Sequence, residues 1–350
     1  MRVFRCKGPP GRSSAGAWSR LRESVDSVAS PRRMGDGRPP KDPMKDTLSL
    51  PLLVATALVV TALWGFNFVV IAVGVREVPP LLLACLRFVL AALPAVFFVP
   101  RPQVAWRLLV AYGLFLGVGE FGFLFTAIRW GAPAGLSSII LQSQAFFTAL
   151  LAVAFFGERF RWHHALGLLV SGAGLALMGW ARTPKGGLTM PLSALVMLLL
   201  AALMWAAANL LTKKMGRVDT LGLMVWSSLV SPLPLLALSW AFEGRTVVLT
   251  ALRHLGWLSL GAIAYLAFMS TLVGYGLWNW LIVKKGASAV APFSLLVPVF
   301  GISSAWLALG ETLTPGHLAA AGLILGGLAI HIFGGRVGWP PPSRKALGGP

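Results

Sequence analysis

The 350-residue chain is 57% hydrophobic and only 12% charged, with a formal net charge of +19 and a mean hydropathy of +0.77. A soluble domain carries about 25% charged residues, so lipid is the solvent for most of this chain. The positive charge is spread over a tail and many loops instead of one soluble face, which argues against a nucleic-acid module, and the two cysteines, Cys6 and Cys85, have neither metal-ligand spacing nor a disulfide framework.

Residues 1–47 are a basic tail with eleven Lys/Arg against five acids. Residues 1–43 are rich in Arg, Ser, Gly and Pro and lack apolar periodicity, which predicts disorder. They also lack the apolar stretch of a secretory signal. Met44-Lys45-Asp46-Thr47 stands directly before the first apolar run and reads as a natural start, so an overlong start is one account of the tail.

A helix needs about 20 apolar residues to cross a bilayer. Ten such runs lie near 50–73, 79–99, 107–128, 133–156, 163–180, 190–211, 220–242, 256–282, 287–309 and 315–334. They are continuously apolar, not alternating, which argues against a barrel. Pro79-Pro80 and Lys284-Lys285-Gly286 force turns between them. Pro184-Lys185-Gly186-Gly187 breaks any helix and separates a first five-helix half, 48–182, from a second, 188–335, with a tail at 336–350. Five is odd, so the second half enters the membrane in the opposite orientation. The fold predicted is all-α and integral to the membrane, with ten transmembrane helices as two inverted five-helix repeats.

The repeat is also written in the residues. Gly131-Ala-Pro-Ala-Gly-Leu-Ser-Ser-Ile-Ile runs to Phe156-Gly157-Glu158, and Gly286-Ala-Ser-Ala-Val-Ala-Pro-Phe-Ser-Leu runs to Leu309-Gly310-Glu311. Aligning Glu158 with Glu311 also pairs Gly157 with Gly310, His164 with His317 and Gly174 with Gly327. Internal repeats in polytopic proteins are the usual trace of transporters, whose two bundles rock about a site at their interface. With the N-terminus inside, the inner connections and C-terminal tail hold twelve basic residues: Arg101, Arg107, Arg159, Arg161, Lys213, Lys214, Arg217, Lys284, Lys285, Arg336, Arg344 and Lys345. The outer connections hold six: Arg76, Arg129, Arg182, Lys185, Arg245 and Arg253. By the positive-inside rule both termini face the cytoplasm of an inner membrane.

Few residues within the runs carry chemistry. Arg87 stands in mid-span, where a charge costs about 2.5–3.5 kcal/mol on insertion scales and must face protein or water. It reads either as a receptor for a substrate carboxylate or gating ion pair, or as a residue that bundles helices through backbone carbonyls or snorkels to the surface. The corresponding stretch of the second half, Leu223-Met224-Val225-Trp226, is apolar. Glu120 is the one acid well inside a span, flanked by Gly117, Gly119 and Gly122, which allow close helix approach. It reads either as a proton-coupling group or as a structural acid paired with Arg87. Glu158 and Glu311 end two spans and read as structural helix-end anchors, bonded to local donors such as Arg159 or to nearby helix N-termini. Asn67, Gln142, Gln144, Asn209 and Asn279 are uncharged hydrogen-bonding groups suited either to an amino-acid-like ligand or to packing between helices. Tyr275, with Tyr265, Trp278 and Trp280, reads as cavity wall or interface anchor. His163, His164 and His317 fall near helix ends, and His331 inside the last run.

Leu63-Trp64-Gly65-Phe66-Asn67-Phe68-Val69-Val70-Ile71, Arg87-Phe88, Gly157-Glu158-Arg159 and Gly310-Glu311 resemble the EamA family of the drug/metabolite transporter superfamily, over roughly residues 48–335. Phe123-Leu124-Phe125, Gln142-Ser143-Gln144-Ala145-Phe146-Phe147, Gly274-Tyr275-Gly276 and Ala291-Pro292-Phe293-Ser294-Leu295-Leu296-Val297-Pro298-Val299 are similar to its cysteine and O-acetylserine exporter subgroup. That subgroup carries a neutral amide where this chain has Glu120. The resemblance implies ten helices, a central cavity and export of small polar metabolites from the cytoplasm by a secondary transporter.

The chain has no H-E-x-x-H, no G-x-S-x-G, no aspartate pair within a span and no P-loop, so neither an enzyme nor an ATP-driven pump is written in it. The partners implied are a small polar metabolite and the bilayer, without nucleic acid, ATP, metal or cofactor; a monomer satisfies the sequence. A multidrug or other metabolite exporter of the same superfamily, a channel and a sensor stay open as alternatives.

Overall fold

A computed structural model describes residues 49–158, 161–180, 190–312 and 314–335. The predicted tails at 1–47 and 336–350, Arg159 and the Pro184–Gly187 breaker lie outside the described residues. The described residues belong to one unit, Leu48–Pro350. Every regular element among them is helical.

Among the described residues, eight helical stretches are long and apolar enough to cross a membrane: α1 (Leu50–Glu77), α3 (Trp106–Arg129), α4 (Ala134–Phe156), α6 (Leu192–Met215), α8 (Pro232–Arg253), α9 (Trp257–Lys285), α10 (Pro292–Leu309) and α11 (Pro315–Phe333). The other helices are α2 (Pro80–Ala95), α5 (Trp162–Trp180) and α7 (Thr220–Ser227). Proline sets several starts, because its missing N–H is unneeded in the first turn. Pro51, Pro80 and Pro315 all stand there. Thr314 and His317 add a reciprocal cap on α11, with the His317 N–H donating to Thr314 Oγ1 at 3.3 Å and the Thr314 N–H to His317 Nδ1 at 3.4 Å.

The predicted run 220–242 is not one helix. α7 stops at Ser227 and α8 begins at Pro232. The Ser227 and Ser228 hydroxyls both turn back to the Met224 carbonyl, and Pro232 and Pro234 remove N–H donors that a continuous helix needs.

Three pairs of stretches share a layout. α4 ends in a 13-residue helix, Gln144–Phe156, and α10 in another, Val297–Leu309. Each stops at a glycine in the left-handed region, Gly157 at φ 64° and Gly310 at φ 68°. Each is followed by a glutamate whose N–H returns to a carbonyl six residues back, Glu158 to Ala152 and Glu311 to Ala305. This is the Schellman stop, which needs a residue without a Cβ penalty. α5 and α11, 19 residues each, follow these stops. Likewise α3 and α9 each contain a wide π-helical stretch, Gly113–Glu120 and Tyr265–Val273.

Small residues set the closest approaches. A Cβ on Gly301 of α10 would sit 2.5 Å from Ser138 Oγ of α4. α5 and α11 meet where Gly167 faces Gly327, with Ser171 Oγ donating to the Ile324 carbonyl at 2.9 Å. Between lipid-soaked helices such fit, not apolar burial, drives association.

Candidate functional site

The helices enclose a cavity of about 260 Å³. Its wall brings together Asn67 of α1, Arg87 of α2, Glu120 of α3, Gln142 and Gln144 of α4, Asn209 of α6 and Tyr275 of α9. Asn279 is not in this wall. It caps the start of α7 instead, donating to Asp219 Oδ1 at 2.6 Å and accepting from the Thr220 N–H at 3.3 Å.

Arg87 is fully buried. Its Nη2 donates to Thr271 Oγ1 at 2.8 Å, and Thr271 in turn donates to the Leu266 carbonyl, five residues back in the wide stretch of α9. Aromatic rings surround the guanidinium: its carbon lies 4.1 Å from the Phe121 centroid, 5.0 Å from Phe88 and 5.9 Å from Phe125. Such stacking stabilises a desolvated cation. Nε and Nη1 have no protein partner.

Glu120 closes the wide stretch of α3, where the Phe121 N–H reaches back five residues to the Leu116 carbonyl. It is buried, and its Oε2 has no protein partner. Among the described residues it forms no ion pair with Arg87; the ion pair found there is Lys213–Glu158. Wide turns of this kind are frequent at functional positions. Asn67 is also buried, with Oδ1 unpartnered.

The other amides are partly engaged. Gln142 Nε2 donates to the Ser294 carbonyl at 3.4 Å. Asn209 Nδ2 donates to Gln144 Oε1 at 2.8 Å and to Thr148 Oγ1 at 3.2 Å, tying α6 to α4. An aromatic group closes the α9 side: Trp64 lies 5.3 Å from Tyr275 and 5.1 Å from Trp278, with its Nε1 donating to the Ser270 carbonyl at 3.0 Å. Gly274 makes room for that indole, since a Cβ would stand 2.6 Å from its nitrogen. Trp280 is part-exposed, and Tyr265 donates to the Leu63 carbonyl at 2.9 Å.

The two helix-end glutamates have different partners. Glu158 pairs with Lys213 of α6, both about half exposed. Glu311 accepts from the backbone N–H groups of Ala134 at 2.7 Å and Gly135 at 3.0 Å, at the start of α4. The histidines stand apart from the cavity. His331 packs on Phe146 and His164, with centroids 5.0 and 4.7 Å away. Among the described residues no group of three His, Cys, Asp or Glu is placed to hold a metal.

A second hollow, of about 620 Å³, lies where α1 and α3 end and α2 begins. Glu243 of α8 accepts there from the Leu81 N–H at 2.7 Å, Glu77 bonds Ser259, and Arg129 Nη1 donates to the Val75 carbonyl at 3.1 Å.

Sequence reasoning missed Thr271, Thr148 and Trp64 as parts of the site. The first two are ordinary helix residues in sequence, and only the fold sets them behind Arg87 and beside Asn209. Trp64 sat in a quoted motif without a role.

The EamA-like transporter family matches residues 52–180 and 192–333. A Salmonella typhimurium protein named "Probable amino-acid metabolite efflux pump" is 44% identical, over 80% of this chain and 95% of its own length. An Escherichia coli protein of the same name is 41% identical, over 83% of this chain and 96% of its own. The "Probable terminal-alkyne amino-acid exporter" of Streptantibioticus cattleyicolor is 26% identical, over 78% of this chain and 91% of its own. A solved crystal structure, 19% identical, superposes with a TM-score of 0.54 over 83% of this chain and 100% of its own, a likeness of fold alone. The chain therefore belongs to the EamA-like transporter family, and is a transporter, not an enzyme.

Proposed function

We propose that the protein is an inner-membrane secondary transporter that exports small amino-acid-like metabolites, such as cysteine or O-acetylserine, from the cytoplasm. The observation that carries this reading is the cavity that gathers Asn67, Arg87, Glu120, Gln142, Gln144 and Asn209 with the aromatic side chains Trp64, Tyr275 and Trp278. Few polar groups converging in an apolar hollow is the usual form of a small-ligand site. The names of the relatives at 41–44% identity point to the same cargo.

In this reading the chain crosses the membrane ten times, as two inverted five-helix halves with both termini cytoplasmic. The matched glycine stops of α4 and α10, the equal lengths of α5 and α11 and the wide stretches of α3 and α9 support it. Alternating access follows if the halves rock about the cavity. The second hollow then marks the far end of the pathway, closed in this state by the bonds of Glu77, Glu243 and Arg129. Glu120 is the candidate proton-coupling group. Glu158 and Glu311 serve as structural helix ends, and a monomer contains the whole cavity.

The test is efflux of radiolabelled cysteine and O-acetylserine from cells overproducing the protein, with and without a proton gradient. Faster release that collapses with the gradient supports the reading. Unchanged release across all small amino acids leaves a drug exporter or a channel.

A further inference from the structure

Three buried polar groups of the cavity wall lack a protein partner: Arg87 at Nε and Nη1, Glu120 at Oε2 and Asn67 at Oδ1. An arginine and a glutamate thus line one small space without a salt bridge between them. Such groups, removed from water, are costly unless something satisfies them. A ligand carrying both charges would satisfy both at once.

The guanidinium geometry narrows this further. Phe121, Phe88 and Phe125 surround its carbon at 4.1 to 5.9 Å, and its unpartnered N–H groups, at Nε and Nη1, lie along its edges. Nη2 carries two hydrogens, one on each edge, and Thr271 takes one of them. The other edge keeps both of its N–H groups, as Nη2 with either Nε or Nη1. That is the fork which a carboxylate meets with two parallel hydrogen bonds. Glu120, acceptor-only when ionised, suits the ammonium, and Asn67 Oδ1 offers that ammonium a second, neutral acceptor.

We infer that the cavity recognises its ligand as a zwitterion, with Arg87 holding the carboxylate through one edge and Glu120, helped by Asn67, holding the ammonium. This rests on the amino-acid export reading and assigns its specificity to named residues. Thr271 is a positioning residue that fixes which edge of Arg87 is free.

The test uses inside-out membrane vesicles containing the full chain and uptake of radiolabelled cysteine, with unlabelled competitors. 3-Mercaptopropionate is cysteine without the ammonium, and cysteamine is cysteine without the carboxylate. The wild-type protein should prefer cysteine to either by about 100-fold, because a buried charge left unpaired is heavily penalised. Glu120→Gln should shrink the preference over 3-mercaptopropionate by about 10-fold or more and keep that over cysteamine; Arg87→Lys should do the reverse. Arg87→Lys keeps the charge and loses the fork, so it also guards against a variant that fails to insert. Unchanged preferences in both variants would overturn the inference while leaving export intact. Equal competition by cysteamine in the wild type would overturn it as well. Wild-type vesicles that take up no amino-acid metabolite would instead bring down the export reading itself.

Discussion

Glu311 and Glu158 stand at matching positions after left-handed glycines, yet their replacement should have unequal effects. Glu311 accepts two backbone N–H groups at the start of α4, at 2.7 and 3.0 Å. It thereby clips the end of α10 to the start of α4. Hydrogen bonds to a charged group contribute about 1.5–3 kcal/mol each, and a negative charge at a helix start adds about 0.3–1 kcal/mol. Glu311→Gln keeps one carbonyl acceptor, loses the charge and turns an N–H₂ toward the other donor, so it should destabilise by about 2–3 kcal/mol. Glu158 pairs with Lys213, and the two side chains are 47% and 46% exposed. Exposed pairs contribute about 0–1 kcal/mol, so Glu158→Gln should cost about 1 kcal/mol at most. The assay is thermal unfolding of the detergent-purified protein, read by size exclusion. At roughly 2–4 °C per kcal/mol, Glu311→Gln should lower Tm by about 5–10 °C and Glu158→Gln by about 3 °C or less. About 0.5 M salt should remove the Glu158 effect and spare that of Glu311. Equal losses, or a larger loss at Glu158, would refute the reasoning.

Thr271→Val, nearly isosteric, should leave insertion intact but raise the transport KM by about 10-fold, because Arg87 loses the acceptor at 2.8 Å that sets its edge. Asn279→Ala should lower Tm by about 2–4 °C and leave KM within about twofold, since Asn279 caps α7 outside the cavity wall. Gly301→Leu should abolish monodisperse protein on size exclusion, whereas Gly322→Leu should not: a Cβ meets Ser138 at the first and nothing within 4 Å at the second. Asn209→Leu should slow transport while costing about 1 kcal/mol in stability, because it severs α6 from Gln144 and Thr148.

Much of the fold was legible because apolar length alone specifies a helix long enough to cross a bilayer. The starts at Pro80 and Pro315 and the stops at Gly157 and Gly310 were likewise written in residues with a single local use. The break at Ser228–Ser231 was not, because apolar content continues through it and only the serine back-bonds and Pro232 end the helix. Solitary charge located Arg87 and Glu120, since a charge within a span must be enclosed. Their relation was not legible. Pairing between them was one expected reading, yet Arg87 is held by Thr271, about half a chain away in sequence. Asn279 looked like the other amides, and its nearness to Asp219 depends on how α7 meets α9. Glu158 and Glu311 looked alike because the residues that distinguish them, Lys213 and the Ala134–Gly135 amides, lie far off in sequence.

The wide stretch Gly113–Glu120 acts as a phase shifter along α3. A residue added to a regular helix turns all that follows by about 100°. The apolar stripe of Phe121–Arg129 is therefore not the continuation of the one on Trp106–Tyr112. A helical wheel drawn straight through this segment assigns the wrong neighbours to Glu120. Adding one residue inside 113–120, beyond what the wide turn already absorbs, would swing the buried trio Leu124, Phe125 and Ile128 off their packed face and turn Phe121 away from Arg87. For anyone recombining chains of this kind, the length of that stretch matters more than its letters, and a crossover placed there must keep the residue count even where every side chain is exchanged.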